Sequence, residues 1–217
     1  MSSRFECIPL TSVEAHKELI QRFSIDREKD FLKDSDDIEG LEAYLKRCAW
    51  DDDVAGEVRI YLIKDVLEED VAAYFGLKAG MVADAREGFP SSEKQKKVRD
   101  GGGKLLPCVL PGIEISHLAV NDAYRHKMEK NSKPIRRLCE YFYPQFIFPI
   151  IHDVAQKIGV KLIYLYAAGD EALVAYYKNV FQFQTLDDDD DNSFYVPLQP
   201  LYDYDCKFMF KLIAPSV

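Results

Sequence analysis

The residues best suited to chemistry lie between Asn121 and Cys139. Arg125, His126 and Lys127 follow Tyr124, and Lys130, Lys133, Arg136 and Arg137 come after them, seven cationic residues in a chain of net charge −9. They stand between a clear strand pattern, Gly112 to Asn121 (GIEISHLAVN), and a helical stripe from Pro134 to Ile158. A strand that feeds a basic loop and then a helix is an anion-binding device, because the first helical turn offers unbonded N–H groups and the positive end of the dipole. Phosphate suits that chemistry, and the competing reading is a solvated face flanking a helix. Other candidates carry less. Asp100-Gly101-Gly102-Gly103-Lys104 lacks the spacing of a P-loop and a buried strand before it, so it reads as a turn. The run Asp187 to Asp191 lacks the spaced ligands and glycine of a calcium loop, and reads as a solvated connection. His16 and His152 show no ligand partners at metal spacing, so no metal is expected.

These residues need elements to hold them. Arg4 to Pro9 reads as an edge strand. Val13 to Phe23 reads as a helix with Ser12 as its N-cap. A second helix from Asp37 to Cys48 carries Ile38, Leu41, Tyr44 and Leu45 on one face, with Asp51-Asp52-Asp53 as its breaker. Val58 to Lys64 and Val71 to Leu77 form a hairpin across the acidic turn Leu67-Glu68-Glu69-Asp70. Ala83 to Pro111 has charge, glycine, proline and no period, and is expected as a loop or short helix over an active site. Pro144 and Pro149 fall inside the stripe that ends at Gly159. Each costs about 3 kcal/mol in a regular helix, so the helix is expected kinked or starting near Pro144. Val160 to Ala167 is continuously apolar, as a strand buried on both faces should be. Asp170 to Phe181 is a short aromatic helix, and Phe194 to Leu198 and Lys207 to Ile213 are closing strands. This order predicts an α/β fold, a mixed and mostly antiparallel central sheet flanked by helices, in one domain over residues 1–217 with an inserted connection at about 83–111.

GIEISHLAVNDAYR resembles the strand of GNAT N-acetyltransferases that ends in a hydrophobic-Ala-Val, Tyr-Arg turn. VKLIYLYAAGDEALVAYYKNVFQF is similar to the next strand and helix of that family, with its fYkk.GF ending, and the match spans residues 54–213. The segment Phe23 to Leu45 bears a weaker similarity to the opening of toxin-like members. The resemblance implies that the backbone of Leu118, Ala119 and Val120 holds the pantetheine arm of acetyl-CoA. It implies that Glu114 is the general base, that Tyr177 protonates the departing thiolate, and that Asp170 stands where the family often has asparagine. A carboxylate in a partly dry cleft can take the proton that an ammonium must lose before it attacks a thioester. The competing readings are a strand-end salt bridge for Glu114 and core packing for Tyr177. His117, on the opposite face of the strand from Glu114, reads as a structural histidine.

One departure from the family is plain: its phosphate loop is glycine-rich, and here no glycine stands between Asn121 and Ile158. Two registers remain for the loop. One uses Arg125 to Lys130, directly after the strand. The other uses Lys133, Arg136, Arg137, Leu138 and Cys139, directly before the long helix, and fits the helix-terminus argument better. The activity implied is direct transfer of acetyl from acetyl-CoA to an amine on a small molecule or protein. The alternatives are a GNAT-fold binding protein that has lost catalysis, favoured by the missing glycines, and a toxin-like enzyme acting on aminoacyl-tRNA.

Composition narrows the setting. At 217 residues and 47% hydrophobic, the chain suits one large domain. An acidic chain with pI near 5.0 repels phosphate backbones, which disfavours nucleic acid as a partner. Cys7, Cys48, Cys108, Cys139 and Cys206 are widely spaced and form no CxxC pair. With no signal-peptide pattern at the start, they are expected as free thiols in the reducing cytoplasm. The apolar stretch Tyr141 to Ile151 is too short to span a bilayer, so no membrane association is expected, and a homodimer is left open.

Overall fold

The computed structural model describes residues 4–26, 40–84, 108–130, 137–185, 195–197 and 206–213. The chain divides into two compact units, Met1–Lys78 with Ile115–Ile150, and Ala79–Glu114 with Ile151–Val217.

The first unit is a sheet edge with helices. Strand β1 (Phe5–Pro9) pairs antiparallel with β2 (Arg59–Asp65), and β2 with the first half of β3 (Asp70–Asp84). The end of β4 (Cys108–Val120) follows, giving the order β1-β2-β3-β4. The expected hairpin is present, with a bulge between Ile63 and Lys64. The helix expected over Val13 to Phe23 is instead a 3-10 turn at Leu10–Ser12, a short α1 (His16–Leu19) and a second 3-10 turn at Ile20–Arg22. Ser12 caps nothing; its hydroxyl donates back to the Pro9 carbonyl at 2.7 Å, and Val13 is extended. Burial of Leu10, Ile20 and Phe23 in one core, rather than helical periodicity, sets this path.

Helix α2 (Leu41–Arg47) lies within the expected span, and Glu42 and Lys46 form an i,i+4 pair at 2.7 Å. Asp51–Asp53 does not break the helical region, because it lies inside α3 (Ala49–Ala55). Asp51 and Asp52 sit in the first turn, where negative charge is favourable, and buried Asp53 accepts from Thr11 and pairs with Arg59. Gly56, at φ 77°, ends the helix. After β4 the chain forms a helix where a basic loop is expected, α4 (Asp122–Lys130). From Leu138 the chain is helical to Ile158 as α5 (Leu138–Phe142), a π-helical turn (Tyr143–Ile147) and α6 (Phe148–Ile158), ended by Gly159 at φ 74°. Pro149 cannot donate to the carbonyl four residues back, and the wide turn absorbs the mismatch.

The second unit holds the other half of the sheet, in the order β4-β5-β8-β6, with β7 (Tyr195–Pro197) on the second half of β3. Strand β5 (Leu162–Ala167) is buried almost throughout, as its unbroken apolar run predicts. It pairs antiparallel with β8 (Lys207–Leu212), which also pairs with the two-residue β6 (Gln184–Thr185). The connection expected over Ala83 to Pro111 is shorter at both ends, since β3 continues to Asp84 and β4 starts at Cys108. Residues 85–107 and the aspartate run 187–191 lie outside the described residues. Cys7 and Cys139 are free thiols. Among the described residues no helix is long and apolar enough to cross a membrane, and no cluster of ligating side chains could hold a metal.

Candidate active site

Strand β4 runs parallel to β5 over Gly112↔Leu162, Ile113↔Ile163 and Glu114↔Tyr164, whereas the other described pairings are antiparallel. The parallel ladder stops at Tyr164, although β5 stays paired with β8 as far as Ala167. A Cβ placed on Gly112 would meet the Leu162 and Tyr164 side chains at 3.0 Å, so that face of β4 is the face on which Tyr164 lies. Glu114, two residues on, shares it. Glu114 has no exposed surface. Tyr166 is half-buried on the same face, and burial together with the Glu114 charge pushes its phenol up to about 12. Tyr164 lies so flat across the neighbouring strands that a Cβ on Gly80 would fall 1.7 Å from its hydroxyl. Glycine is required there for close approach.

In the first unit β4 continues through His117, Leu118, Ala119 and Val120. Ala119 is buried with the α1–α3 core, and His117 stacks on Tyr44 with ring centroids 3.8 Å apart and planes within 5°. Burial, aided by the Lys78 charge, pushes the His117 imidazole down to about 3, and its Nδ1 lies 2.9 Å from Ser116 Oγ. His117 is thus a neutral, packed ring on the face away from Glu114.

Arg125 and Lys127 of α4 are engaged in holding the fold. Arg125 pairs with Asp122 at 2.5 Å and with Asp26 at 3.6 Å. Lys127 reaches Glu68 at 3.1 Å and Asp70 at 3.8 Å. Tyr124 donates to Asp65 at 2.7 Å, beside Arg4, which donates to the same carboxylate at 2.9 Å. The first of the two loop registers is therefore a helix docked on the β2–β3 hairpin rather than an open loop. In the second register Lys133 and Arg136 lie outside the described residues. Arg137 is exposed and adopts φ 60°, ψ 51°, the left-handed conformation that glycine takes without steric cost, directly before α5. Leu138 is buried, and burial, with the Glu140 charge, pushes the Cys139 thiol up to about 12.

Helix α7 (Glu171–Phe181) opens on Asp170, whose carboxylate accepts from the Leu173 amide at 2.9 Å. This N-cap is the structural role Asp170 plays here. Tyr177 packs edge-on to Phe183 at 6.0 Å and near Phe181 at 5.9 Å. The helix ends at Gln182, in the left-handed conformation at φ 61°. In the fYkk.GF ending the tyrosine stands four residues before the glycine. Here the left-handed residue lies five after Tyr177 and four after Lys178. The helix cap was the signal that could have found it.

No protein-family model and no curated protein matches the chain. Solved structures do. AtaTR bound with acetyl-CoA aligns at TM-score 0.55 and 16% identity, over 96% of this chain and 94% of that one. AtaT complexed with acetyl-methionyl-tRNAfMet gives 0.53 and 16% over 94% and 93%, and a mutant of KacT gives 0.54 and 13% over 97% and 95%. These neighbours are GNAT-fold acetyltransferase toxins. The chain has the GNAT fold. In GNAT terms, β4 and β5 are the central strand pair, the run from α5 to α6 is the crossover between them, and α7 is the helix that follows.

Proposed function

We propose that the protein is an N-acetyltransferase that moves acetyl directly from acetyl-CoA to an amine. The observation that carries this reading is the parallel β4–β5 ladder, three residues long, where the other described pairings are antiparallel. An extended amide-bearing arm such as pantetheine is held by strand backbone donors and acceptors. The neighbour solved with acetyl-CoA supports the same cofactor here. Leu118, Ala119 and Val120 are the residues we assign to that arm. Arg137, with Lys133, Arg136, Leu138 and Cys139, is assigned to the phosphates at the start of the helical run. The left-handed Arg137 supports this register, since it supplies the backbone conformation of a missing glycine. Arg125, tied to Asp122 and Asp26, holds the fold behind it. Asp170 acts by fixing α7.

In the reaction the ammonium gives a proton to Glu114, and the amine nitrogen attacks the thioester carbon. The carbon–sulfur bond breaks, the thiolate takes a proton from Tyr177 or from Lys178, the nitrogen's second proton returns to that donor through water, and an amide, CoA thiol and protonated Glu114 result. Glu114→Gln keeps the shape and removes the base, so turnover should fall by roughly 100-fold at neutral pH, with part of the loss recovered at high pH where free amine is abundant. Thiol release from acetyl-CoA, followed against pH with a panel of amines, tests this. A Glu114→Gln variant within threefold of wild type at every pH would refute the base assignment. Loss of all transfer by the wild type, with acetyl-CoA binding intact, would favour a binding protein.

A second acceptor is supported by one observation. AtaT has been solved with acetyl-methionyl-tRNAfMet, so the GNAT fold tolerates a nucleic-acid-linked amine. The expectation drawn from net charge weakens accordingly, because −9 describes the whole chain and not one face. Adding charged tRNA to the amine panel decides between the two acceptors.

A further inference from the structure

Asn121, the residue that follows β4, is 1% exposed, and its polar groups join three parts of the first unit. Its backbone N–H donates to the Ala72 carbonyl at 2.9 Å, and its side-chain Nδ2 donates to the Val71 carbonyl at 2.7 Å. Its side-chain oxygen accepts from the Ser24 and Tyr124 amides, both at 3.2 Å. These partners fix which way the carboxamide points, because a carbonyl needs the NH2 group and two amides need the oxygen. The Ser24 carbonyl in turn accepts from the Asp122 amide at 2.8 Å, and the Asp122 carboxylate accepts from the Asp26 amide at 2.9 Å. One short side chain thus caps α4, ties the end of β4 to β3 and captures the stretch at Ser24. Aspartate would lack the donor for Val71, serine has a single polar atom to share, and the glutamine carboxamide stands one carbon farther out.

A cofactor arm held by strand backbone depends on where that backbone lies, since N–H···O bonds are good only at about 2.7–3.2 Å. Leu118, Ala119 and Val120 are bracketed. Before them His117 stacks on Tyr44, and β3 comes so close that a Cβ on Gly76 would lie 3.0 Å from His117 Nδ1. After them stands Asn121. We propose that Asn121 is a positioning residue for acetyl-CoA: by tying the end of β4 to Val71, Ser24 and Tyr124, it fixes the backbone that receives the pantetheine arm. This deepens the acetyltransferase reading and rests on its assignment of pantetheine to Leu118, Ala119 and Val120. A backbone fixed in advance spares the complex the ordering cost that a loosely held segment would impose.

The test uses the full chain and two probes, acetyl-CoA and adenosine 3′,5′-bisphosphate, which is a nucleotide piece of the cofactor without the arm. Asn121→Asp keeps the oxygen that accepts from Ser24 and Tyr124, but sets a second oxygen against the Val71 carbonyl. By calorimetry it should weaken acetyl-CoA by roughly threefold to tenfold, the scale of one lost hydrogen bond, and leave the bisphosphate nearly unchanged. In transfer assays the KM for acetyl-CoA should rise while kcat stays near wild type. If Asn121→Asp fails to fold, Ser24→Pro decides by the same two constants. It deletes one N–H that Asn121 accepts, and Phe23 is already extended, as the residue before proline prefers. Arg4→Ala, which loosens the fold through Asp65, is the comparison and should move neither constant. Equal weakening of both probes, an equal loss of acetyl-CoA affinity in Arg4→Ala, or no weakening at all overturns the inference. So does a wild type that binds the bisphosphate as tightly as acetyl-CoA. The expected binding pattern with no transfer to any amine supports the inference and overturns the activity. A wild type that binds neither probe overturns both.

Discussion

Gly80→Ala is a substitution of one methyl group with a large expected effect. The added Cβ would lie 1.7 Å from the Tyr164 hydroxyl oxygen, 2.6 Å from Cζ and 2.9 Å from Cε1, where ordinary contacts begin at 3.4 Å. The ring must retreat, yet Tyr164 is 1% exposed and held by Tyr166 and Phe208. Overpacking of this kind costs typically 1–3 kcal/mol, and a clash this deep against a confined ring belongs at about 3. Tyr164→Phe removes the closest atom and leaves the next at 2.6 Å. In that background the same methyl should cost roughly half as much, for a coupling of about 1–1.5 kcal/mol. Urea unfolding of wild type, the two single variants and the double variant gives the four free energies, with constant m-values as the check on two-state behaviour. Additivity within about 0.5 kcal/mol would show that Tyr164 relaxes freely over β3, and would refute the close packing argued for the Glu114 face.

Three other outcomes follow from the same structure. Arg4→Ala leaves buried Asp65 with Tyr124 and the Leu67 and Glu68 amides as its remaining donors, and should destabilise by about 2 kcal/mol, less than the roughly 3–5 for a wholly buried pair because Arg4 is 28% exposed. Burial alone would raise the Asp65 carboxyl, but the hydrogen bonds from Arg4, Tyr124 and Leu67 hold it below the usual range, so its stabilisation is present above the unfolded carboxyl value and is lost as pH falls through the folded one. An acid-unfolding midpoint that fails to move to higher pH in Arg4→Ala would count against this. Asp170→Ala removes the α7 cap and should cost about 1 kcal/mol, with Asp170→Asn recovering most of it in thermal melts. Tyr177→Phe and Lys178→Met should differ in turnover at equal acetyl-CoA affinity, and the variant that loses the basic limb of the pH profile identifies the proton donor.

The central strands could be read directly from the sequence, because a run such as LIYLYA has one reasonable fate. The same holds for α7, where Asp170 caps and an aromatic stripe follows. Helix α4 could not. Its inward face is Tyr124 and Met128 with an acidic first residue, too little apolar surface for a period to show, and its cations advertised a loop. What makes it a helix is tertiary: Asp65, Glu68 and Asp70 of the hairpin wait for Tyr124 and Lys127. Asp51–Asp53 misled for a related reason, since burial of Asp53 against Thr11 and Arg59 cannot be seen in a local window. At the candidate site the strand position of Glu114 was legible and its complete burial was not. The one-residue offset at the end of α7 became visible only through the backbone at Gln182.

The two compact units are each assembled from stretches that are distant along the chain, since Met1–Lys78 is completed by Ile115–Ile150 and Ala79–Glu114 by Ile151–Val217. On the ribosome the first unit therefore cannot close until Ile150 has left the exit tunnel, by which time the second unit's opening strands are already outside without β5 and β8. At roughly 5–20 residues per second, β3 and β4 wait several seconds for β5 and β8. Those seconds are the interval in which a chaperone has most to protect, and slowing translation just after residue 114 should lengthen it.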